Sequence, residues 1–132
     1  MAEKQRQNGS VLLIVVFAVA LLSVLTIGIL EMHTEEIQLM QNQVNAVQAL
    51  ATAEAGLNDA FARIRDGNDP NIASTSFNGG SYTVTVTGTL PNRTITSTAT
   101  TSQGFVARVK ANITVGSSSP YIIRIDNLRI NE

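Results

Sequence analysis

An uncharged apolar run near the N-terminus constrains this chain more than any other feature. Between Arg6 and Glu31 there is no charged residue, and residues 11–30 read VLLIVVFAVALLSVLTIGIL. Twenty residues of α-helix span about 30 Å, the thickness of the hydrocarbon core of a bilayer. The run lacks the polar face that a helix on the surface of a soluble protein needs. We therefore predict that residues 11–30 form a membrane-spanning helix.

The charges that flank the run predict its orientation. Lys4 and Arg6 precede it, whereas three glutamates follow it within residues 31–36. By the positive-inside rule, the short N-terminal segment stays in the cytoplasm and the rest of the chain lies outside. The alternative is a cleaved secretory signal peptide, but such peptides have apolar regions of about 7–15 residues and a small-x-small cleavage site. The sequence directly after the run, EMH, is no such site.

The helical pattern continues beyond the apolar run. Apolar side chains recur at steps of three, four and seven, which predicts an amphipathic helix over residues 31–66. Arg63 and Arg65 suit the C-terminal end of the helix dipole, and Gly67 followed by Pro70 is typical of a helix stop. The residues of this stripe that we expect to pack against a sheet are Val44, Val47, Leu50, Leu57, Phe61 and Ile64.

The C-terminal half has the period-two pattern of β-strands, after a loop rich in Asn, Ser and Gly at residues 67–80. The alternating segments are residues 82–87, 94–101, 105–115 and a last one that starts at Tyr121 and extends towards Ile130. The first three are joined by short turns, which favours an antiparallel meander. We therefore predict an α+β fold, in which a long N-terminal helix packs on a small antiparallel meander of three to four strands.

Composition excludes several classes of function. The chain has 132 residues, the size of one modest domain. Nine basic and ten acidic residues give a net charge of −1, so nucleic-acid binding is not expected. The chain has no cysteine and so no cysteine nucleophile, and with a single histidine, His33, a zinc enzyme or a histidine-based triad would be hard to build. We predict that it is not an enzyme and that it holds no cofactor or metal ion.

The order of these segments resembles type IV pilins and pseudopilins. A short polar leader that ends in glycine, KQRQNG at residues 4–9, is followed directly by the apolar run, then by the amphipathic helix and the meander. Residues 53–57, AEAGL, look like the Ala-Glu-Ala-x-Leu element of PilX-type minor pilins. The resemblance covers about residues 4–65 and implies a pilin-like fold.

The resemblance implies a processing site. In this family a prepilin peptidase in the inner membrane cuts after the leader glycine, and the new N-terminus is methylated. The cut would fall between Gly9 and Ser10, and Ser10 would carry the methyl group. The chain would then consist of a leader (1–9), a transmembrane or filament-core helix (10–30), an amphipathic helix (31–66) and a β-sheet head (67–132). The implied membrane and filament-core residues are Val11, Leu12, Leu13, Ile14, Phe17, Leu21, Leu25 and Gly28.

The resemblance also implies partners and a location. The precursor would be a single-pass inner-membrane protein, with a cytoplasmic N-terminus and with lipid around its helix. After cleavage, an inner-membrane assembly platform and its ATPase would move the subunit into a periplasmic or cell-surface filament. Its neighbours there would be other pilin subunits, in a homopolymer or a heteropolymer. Both a pilus and a secretion pseudopilus fit this description.

Two positions depart from the family pattern. Family members commonly begin the mature chain with Phe or Met, where this chain has Ser10, and most major pilins carry a glutamate where this chain has Ile14. In the family that glutamate pairs with the N-terminal amine of a neighbouring subunit, because a lone carboxylate in lipid is costly. Pseudopilins that initiate or cap the filament also lack it, so Ile14 favours a minor or tip-forming subunit.

One further interpretation remains open. Gly9 is also compatible with a glycine that merely precedes a membrane anchor and is never cut. In that case the chain would be a single-pass, membrane-anchored extracytoplasmic binding domain that does not polymerise.

Overall fold

The computed structural model describes the backbone of residues 2–131 and the side chains of residues 9–131. One helix, α1 (Ala2–Arg65), precedes the strands β1 (Ile72–Phe77), β2 (Gly80–Thr87), β3 (Asn92–Thr101), β4 (Val106–Val115) and β5 (Ile123–Ile130). The chain divides into two units, Met1–Gln41 and Asn42–Glu132. In the described part of the first unit, every residue is helical and every side chain is exposed.

The end of α1 is fixed by its backbone hydrogen bonds. The amide of Asn68 donates to the carbonyl of Arg63 at 2.8 Å, and the amide of Gly67 donates to the carbonyl of Ile64 at 3.1 Å. Gly67 has φ of 73°, so the pair of bonds forms a Schellman cap with glycine in the left-handed conformation. The predicted stop at Gly67 is therefore confirmed.

The five strands form one sheet in the order β1-β2-β3-β4-β5, and every neighbouring pair is antiparallel. The predicted α+β fold, with one long helix and an antiparallel meander, is confirmed at this level. The predicted number of strands, three to four, is wrong. The additional strand is β1, which lies inside the segment that we expected to be a loop.

Strand β1 is not predicted by periodicity, because its residues 73–76, ASTS, are small or polar and do not alternate between apolar and polar. Its hairpin with β2 is nevertheless encoded locally. Asn78 and Gly79 have φ of 47° and 75°, the two left-handed residues of a type I′ turn, and Phe77 pairs with Gly80 across it. Asn-Gly is the strongest short signal for such a hairpin.

The core of the second unit lies between α1 and the inner face of the sheet. The buried residues of the helix are Ala49, Thr52, Ala53, Gly56, Leu57, Ala60 and Ile64. They recur at steps of three and four, so they occupy one face of α1. The buried side chains of the central strands include Val84, Ile95, Ala99, Val109 and Ile113. The core therefore pairs a helix face of mainly small residues with β-branched residues and alanines of the sheet.

Six helix residues were predicted to pack on the sheet, and the structure divides them. Leu57 and Ile64 are buried in the core, and Leu50 and Phe61 are half-buried against it. The prediction is wrong for the other two, Val44 and Val47, whose exposed fractions are 63% and 61%.

The reason for that error lies in helix geometry. At 100° per residue, Val44 and Val47 point away from the face that carries Ala53 and Ala60. The largest apolar side chains of this part of the helix define one stripe, whereas the sheet packs against a face made mainly of small residues.

Gly56 marks the closest approach between helix and sheet. A Cβ atom built at this position would lie 2.5 Å from Ser97 Oγ and 2.7 Å from Tyr82 Cδ2. Distances this short leave room for hydrogen alone, so glycine is required here by packing and not by backbone conformation. The close approach also buries Ser97 Oγ, which has no hydrogen-bond partner among the residues that the structure describes.

A polar contact between α1 and β2 adds to this packing. Tyr82 donates a hydrogen bond from its Oη to Asp59 Oδ2 at 3.0 Å, and Arg63 Nε lies 3.5 Å from Asp59 Oδ1. Burial of the phenol, followed by its hydrogen bond to Asp59, raises the pKa of Tyr82 above its ordinary value. Tyr82 therefore stays protonated and keeps donating to the helix well into the alkaline range.

Candidate functional site

The apolar run of α1 forms an exposed surface on all sides of the helix. The large apolar residues between Val11 and Leu30 have exposed fractions between 47% and 71%. The predicted membrane and filament-core positions all belong to this surface: Val11, Leu12, Leu13, Ile14, Phe17, Leu21, Leu25 and Gly28. A Cβ atom built at Gly28 would meet no other atom within 4 Å, so that face of the helix is open.

Among the described residues, one helix, Gly9–Arg65, is long and apolar enough to cross a membrane, and none of its most apolar window is buried. The two hydroxyl groups in the run are satisfied within the helix itself. Ser23 Oγ donates to the carbonyl of Val19 at 2.8 Å, and Thr26 Oγ1 donates to the carbonyl of Leu22 at 2.7 Å. The run therefore tolerates an apolar environment, since its hydroxyl donors need no water.

The residues that follow the run are polar and exposed. Glu31, Glu35 and Glu36 are all exposed, and His33 Nδ1 lies 3.5 Å from Glu36 Oε2 in a pair whose side chains are about two-thirds exposed. An exposed pair of this kind contributes little to stability. Hydrated charges directly after the apolar run fit the exit of a helix from a membrane.

A second apolar feature follows these charges along the helix. Ile37 and Met40 in the first unit are exposed, and so are Val44 and Val47 in the second. Their sequence spacing of three, four and three is that of the a and d positions of a heptad, through which helices associate. We call these four residues the heptad stripe. Sequence reasoning found them but assigned the last two to the sheet.

The predicted cleavage site lies within α1. Gly9 and Ser10 are both helical and exposed, and a Cβ atom at Gly9 would meet no atom within 4 Å. The rest of the predicted leader, residues 1–8, lies outside the residues whose side chains are described. Among residues 9–131, no side chain therefore lies against the Cα of Gly9.

The head carries a small polar cluster on its edge strand. Asp126 Oδ2 accepts a hydrogen bond from Thr114 Oγ1 at 2.6 Å, and Asp126 Oδ1 accepts one from Arg124 Nε at 2.8 Å. These two hydrogen bonds, the first above all, lower the pKa of Asp126 below its ordinary value. Asp126 stands at a bulge between β4 and β5, so the cluster stabilises an irregular strand pair.

Sequence reasoning missed the small-residue face of α1. Four residues of this face, Ala49, Ala53, Gly56 and Ala60, are spaced by four, three and four, and this pattern could have identified the face.

Among residues 9–131 there is no group of three or more His, Asp or Glu side chains placed to hold a metal ion.

Comparisons with known proteins found no matching family model, no similar characterised protein and no similar solved structure. Functional inference for this chain therefore depends on its own residues and their geometry.

Proposed function

We propose that this chain is a structural subunit of a type IV pilus or a related pseudopilus filament, in a minor or tip position. One observation carries the proposal. A single helix has an apolar, exposed first part and a last part, residues 49–64, that packs on an antiparallel sheet. The first part has no partner among the described residues, whereas the last part packs on the sheet.

Processing would release the subunit from its leader. A prepilin peptidase would cleave between Gly9 and Ser10, and Ser10 would be methylated. The open surroundings of Gly9 support this step, because a peptidase must reach that bond. The cut would remove Lys4 and Arg6, which hold the N-terminus in the cytoplasm by the positive-inside rule.

Assembly would exchange one apolar environment for another. Lipid tails and neighbouring apolar helices solvate residues 11–30 about equally well, so helix packing rather than hydrophobic burial would decide the arrangement. The heptad stripe would extend these helix contacts beyond the membrane segment. An assembly ATPase at the inner membrane would supply the work.

Ile14 supports the minor or tip position. A subunit without a carboxylate at this depth cannot pair with the N-terminal amine of a neighbour, so it contributes no such register contact. It fits best where few neighbours must be placed in register, as at the end of a filament.

The test compares processing of the natural chain with that of a Gly9→Leu variant, in cells with an active prepilin peptidase. Intact mass and N-terminal sequencing of the natural protein should show a methylated Ser10 as first residue, in membranes and in sheared surface material. Gly9→Leu should remain an uncut precursor in the membrane, because the peptidase cannot accept the bulky side chain. Gly28→Leu is the matched control, since it adds the same side chain where space is open.

Two results would contradict the proposal. One is a natural protein that keeps residues 1–9, which would indicate an anchored domain that is never processed. The other is a Gly9→Leu protein of mature size, which would show that the leader glycine does not define the cut.

A further inference from the structure

A cleft of about 420 Å³ opens at the end of the head where α1 stops. Its floor is the inner face of the sheet beyond the last turn of the helix, where Val86 and Val115 lie. Its rim comes from the loop after α1, from Leu90 in the turn between β2 and β3, and from Tyr121 before β5. The volume falls in the range of small-molecule sites.

Arg93 is the unusual residue of this cleft. Odd-numbered residues of β3 face the core, and Ile95, Ser97 and Ala99 are all buried, so Arg93 occupies the first inward-facing position of the strand. Across the sheet it pairs with Ile113, which is buried, while Arg93 itself is half-buried. A charged side chain at an inward position would normally need a partner there.

No such partner exists within the described residues. Arg93 Nε is buried and has no hydrogen-bond partner, and no carboxylate oxygen of residues 9–131 lies within 4.0 Å of its guanidinium. A buried donor without an acceptor costs free energy, so its position calls for an explanation. Guanidinium groups bind carboxylates in a two-pronged geometry that uses two of their N–H groups.

Asp69, on the rim, is already engaged. Its Oδ1 accepts hydrogen bonds from the amide and the side chain of Asn71, at 3.0 Å and 2.9 Å. These bonds are the main cause of its lowered pKa, and the charges of Arg63 and Arg93 lower it further. Asp69 therefore carries a negative charge near the cleft without neutralising Arg93 by direct contact.

We propose that the cleft binds a small organic monocarboxylate, with the carboxylate on Arg93 and an apolar or ring-shaped body against Leu90 and Tyr121. The negative charge of Asp69 disfavours ligands with several negative charges and accepts hydrogen bonds from hydroxyl or amide donors. Such a carboxylate occurs in acidic sugars and at the C-terminal ends of peptides. The residues that line the cleft belong to the second unit and include none of residues 11–30 or of the heptad stripe.

The experiment measures amide chemical shifts of the full chain in detergent micelles during titration with two probes, glucuronic acid and N-acetyl-phenylalanine. At least one probe should cause saturable shifts at residues 86–93. Glucuronamide and N-acetyl-phenylalaninamide are the matched probes, because they lack only the charge, and they should cause none. Binding by the sugar acid alone would indicate a polysaccharide source, and binding by the amino-acid probe alone would indicate a peptide C-terminus.

Three variants tie the binding to the cleft. Arg93→Gln should weaken binding by at least about tenfold, the usual effect of losing a charge-assisted hydrogen bond. Leu90→Glu places a negative charge on the exposed rim without disturbing a buried residue, and it should weaken binding by at least about fivefold through repulsion. Lys110→Gln, on the opposite face of the sheet beside Thr96, is the control and should bind like the natural chain.

The proposal is overturned if neither carboxylate saturates the shifts, or if the uncharged amides bind equally well. It is also overturned if Arg93→Gln and Leu90→Glu, both with the dispersed spectrum of the natural fold, bind as tightly as Lys110→Gln.

Discussion

Two stretches of the same helix differ in a way that explains much of this molecule. Residues 11–30 carry large apolar side chains, and all of them are exposed. Residues 49–64 carry mainly Ala, Thr and Gly on their packing face, and that face is buried. Small residues let the backbone of a sheet approach closely, as Gly56 demonstrates. The buried residues of α1 are therefore those that allow close contact with the sheet, and they are not the most hydrophobic residues of the helix.

The exposed stretch has an energetic consequence. Burying one large aliphatic side chain contributes about 1.5–3 kcal/mol, so a continuous surface of this kind is strongly driven out of water. Monomeric soluble proteins rarely expose large contiguous apolar patches. The two stretches thus differ in their partners: the sheet of the head covers residues 49–64, whereas under the proposed function lipid or other subunits cover residues 11–30.

The largest effect on stability is expected when the same substitution, Leu to Ala, is made in each of the two stretches. Leu57→Ala removes a side chain that is 6% exposed in the core, and it should lower the free energy of unfolding of the head by about 2–5 kcal/mol. Leu25→Ala makes the same change at a side chain of the other stretch that is 62% exposed, and it should change that free energy by less than about 0.5 kcal/mol. Urea unfolding of the full chain in detergent, followed by hydrogen exchange of β3 amides, measures both. Equal losses would show that the two stretches are packed alike.

Substituting one glycine in each of the two stretches tests the same difference in packing. Gly56→Ala should destabilise the head by about 1–3 kcal/mol, because the new methyl group overlaps Ser97 and Tyr82. Gly28→Ala meets no atom and should be neutral for the head while favouring the helix by up to about 1 kcal/mol. The same unfolding assay applies. A Gly56→Ala protein as stable as the natural chain would mean that helix and sheet lie further apart.

A smaller effect is expected for the polar contact between helix and sheet. Tyr82→Phe removes the hydrogen bond to Asp59 and should cost about 1 kcal/mol. Tyr121→Phe is the control, since Tyr121 lies outside this contact. Thermal unfolding of both variants at neutral pH provides the measurement, and identical midpoints would show that the Tyr82 contact contributes nothing.

The same contact predicts a pH dependence. The pKa of Tyr82 is raised on folding, so its contribution is fully present below the unfolded value of 10.0 and is lost as pH rises through the higher folded value. Stability of the natural head should therefore fall above pH 10 more steeply than that of Tyr82→Phe. Parallel pH profiles of the two proteins would show that Tyr82 is not the source of this pH dependence.

The smallest effect on stability is expected for the heptad stripe. Val44→Ser combined with Val47→Ser should change head stability by less than about 0.5 kcal/mol, because both side chains are exposed. Under the proposed function, the same double variant should enter sheared filaments poorly, which immunoblotting of surface material would detect. A large loss of head stability would instead place these valines in the core.

The sequence was sufficient for the features that depend on pattern and local chemistry. The uncharged run, the helix stop at Gly67 and the antiparallel order of the strands all follow from periodicity and turn residues. Strand β1 did not, because its side chains lack alternation, although Asn78-Gly79 marks its turn.

The packing face of α1 shows where such reasoning ends. Val44 and Val47 fit a regular apolar stripe, and so do Ala49 and Ala53 on another side of the helix. Which stripe meets the sheet depends on tertiary fit. The cleft around Arg93 was not foreseen at all, because an arginine at the start of a polar strand looks like an ordinary surface residue.

The central claim is that residues 11–30 are covered by lipid or by other subunits rather than by water. The natural chain has no cysteine, so single cysteines can be labelled without background. Leu25→Cys and Gln103→Cys would be exposed to a membrane-impermeant maleimide in intact membranes and in sheared filaments. We predict that the cysteine at position 25 resists labelling in both preparations while the one at position 103 reacts quickly. Equally fast labelling at both positions would contradict the account.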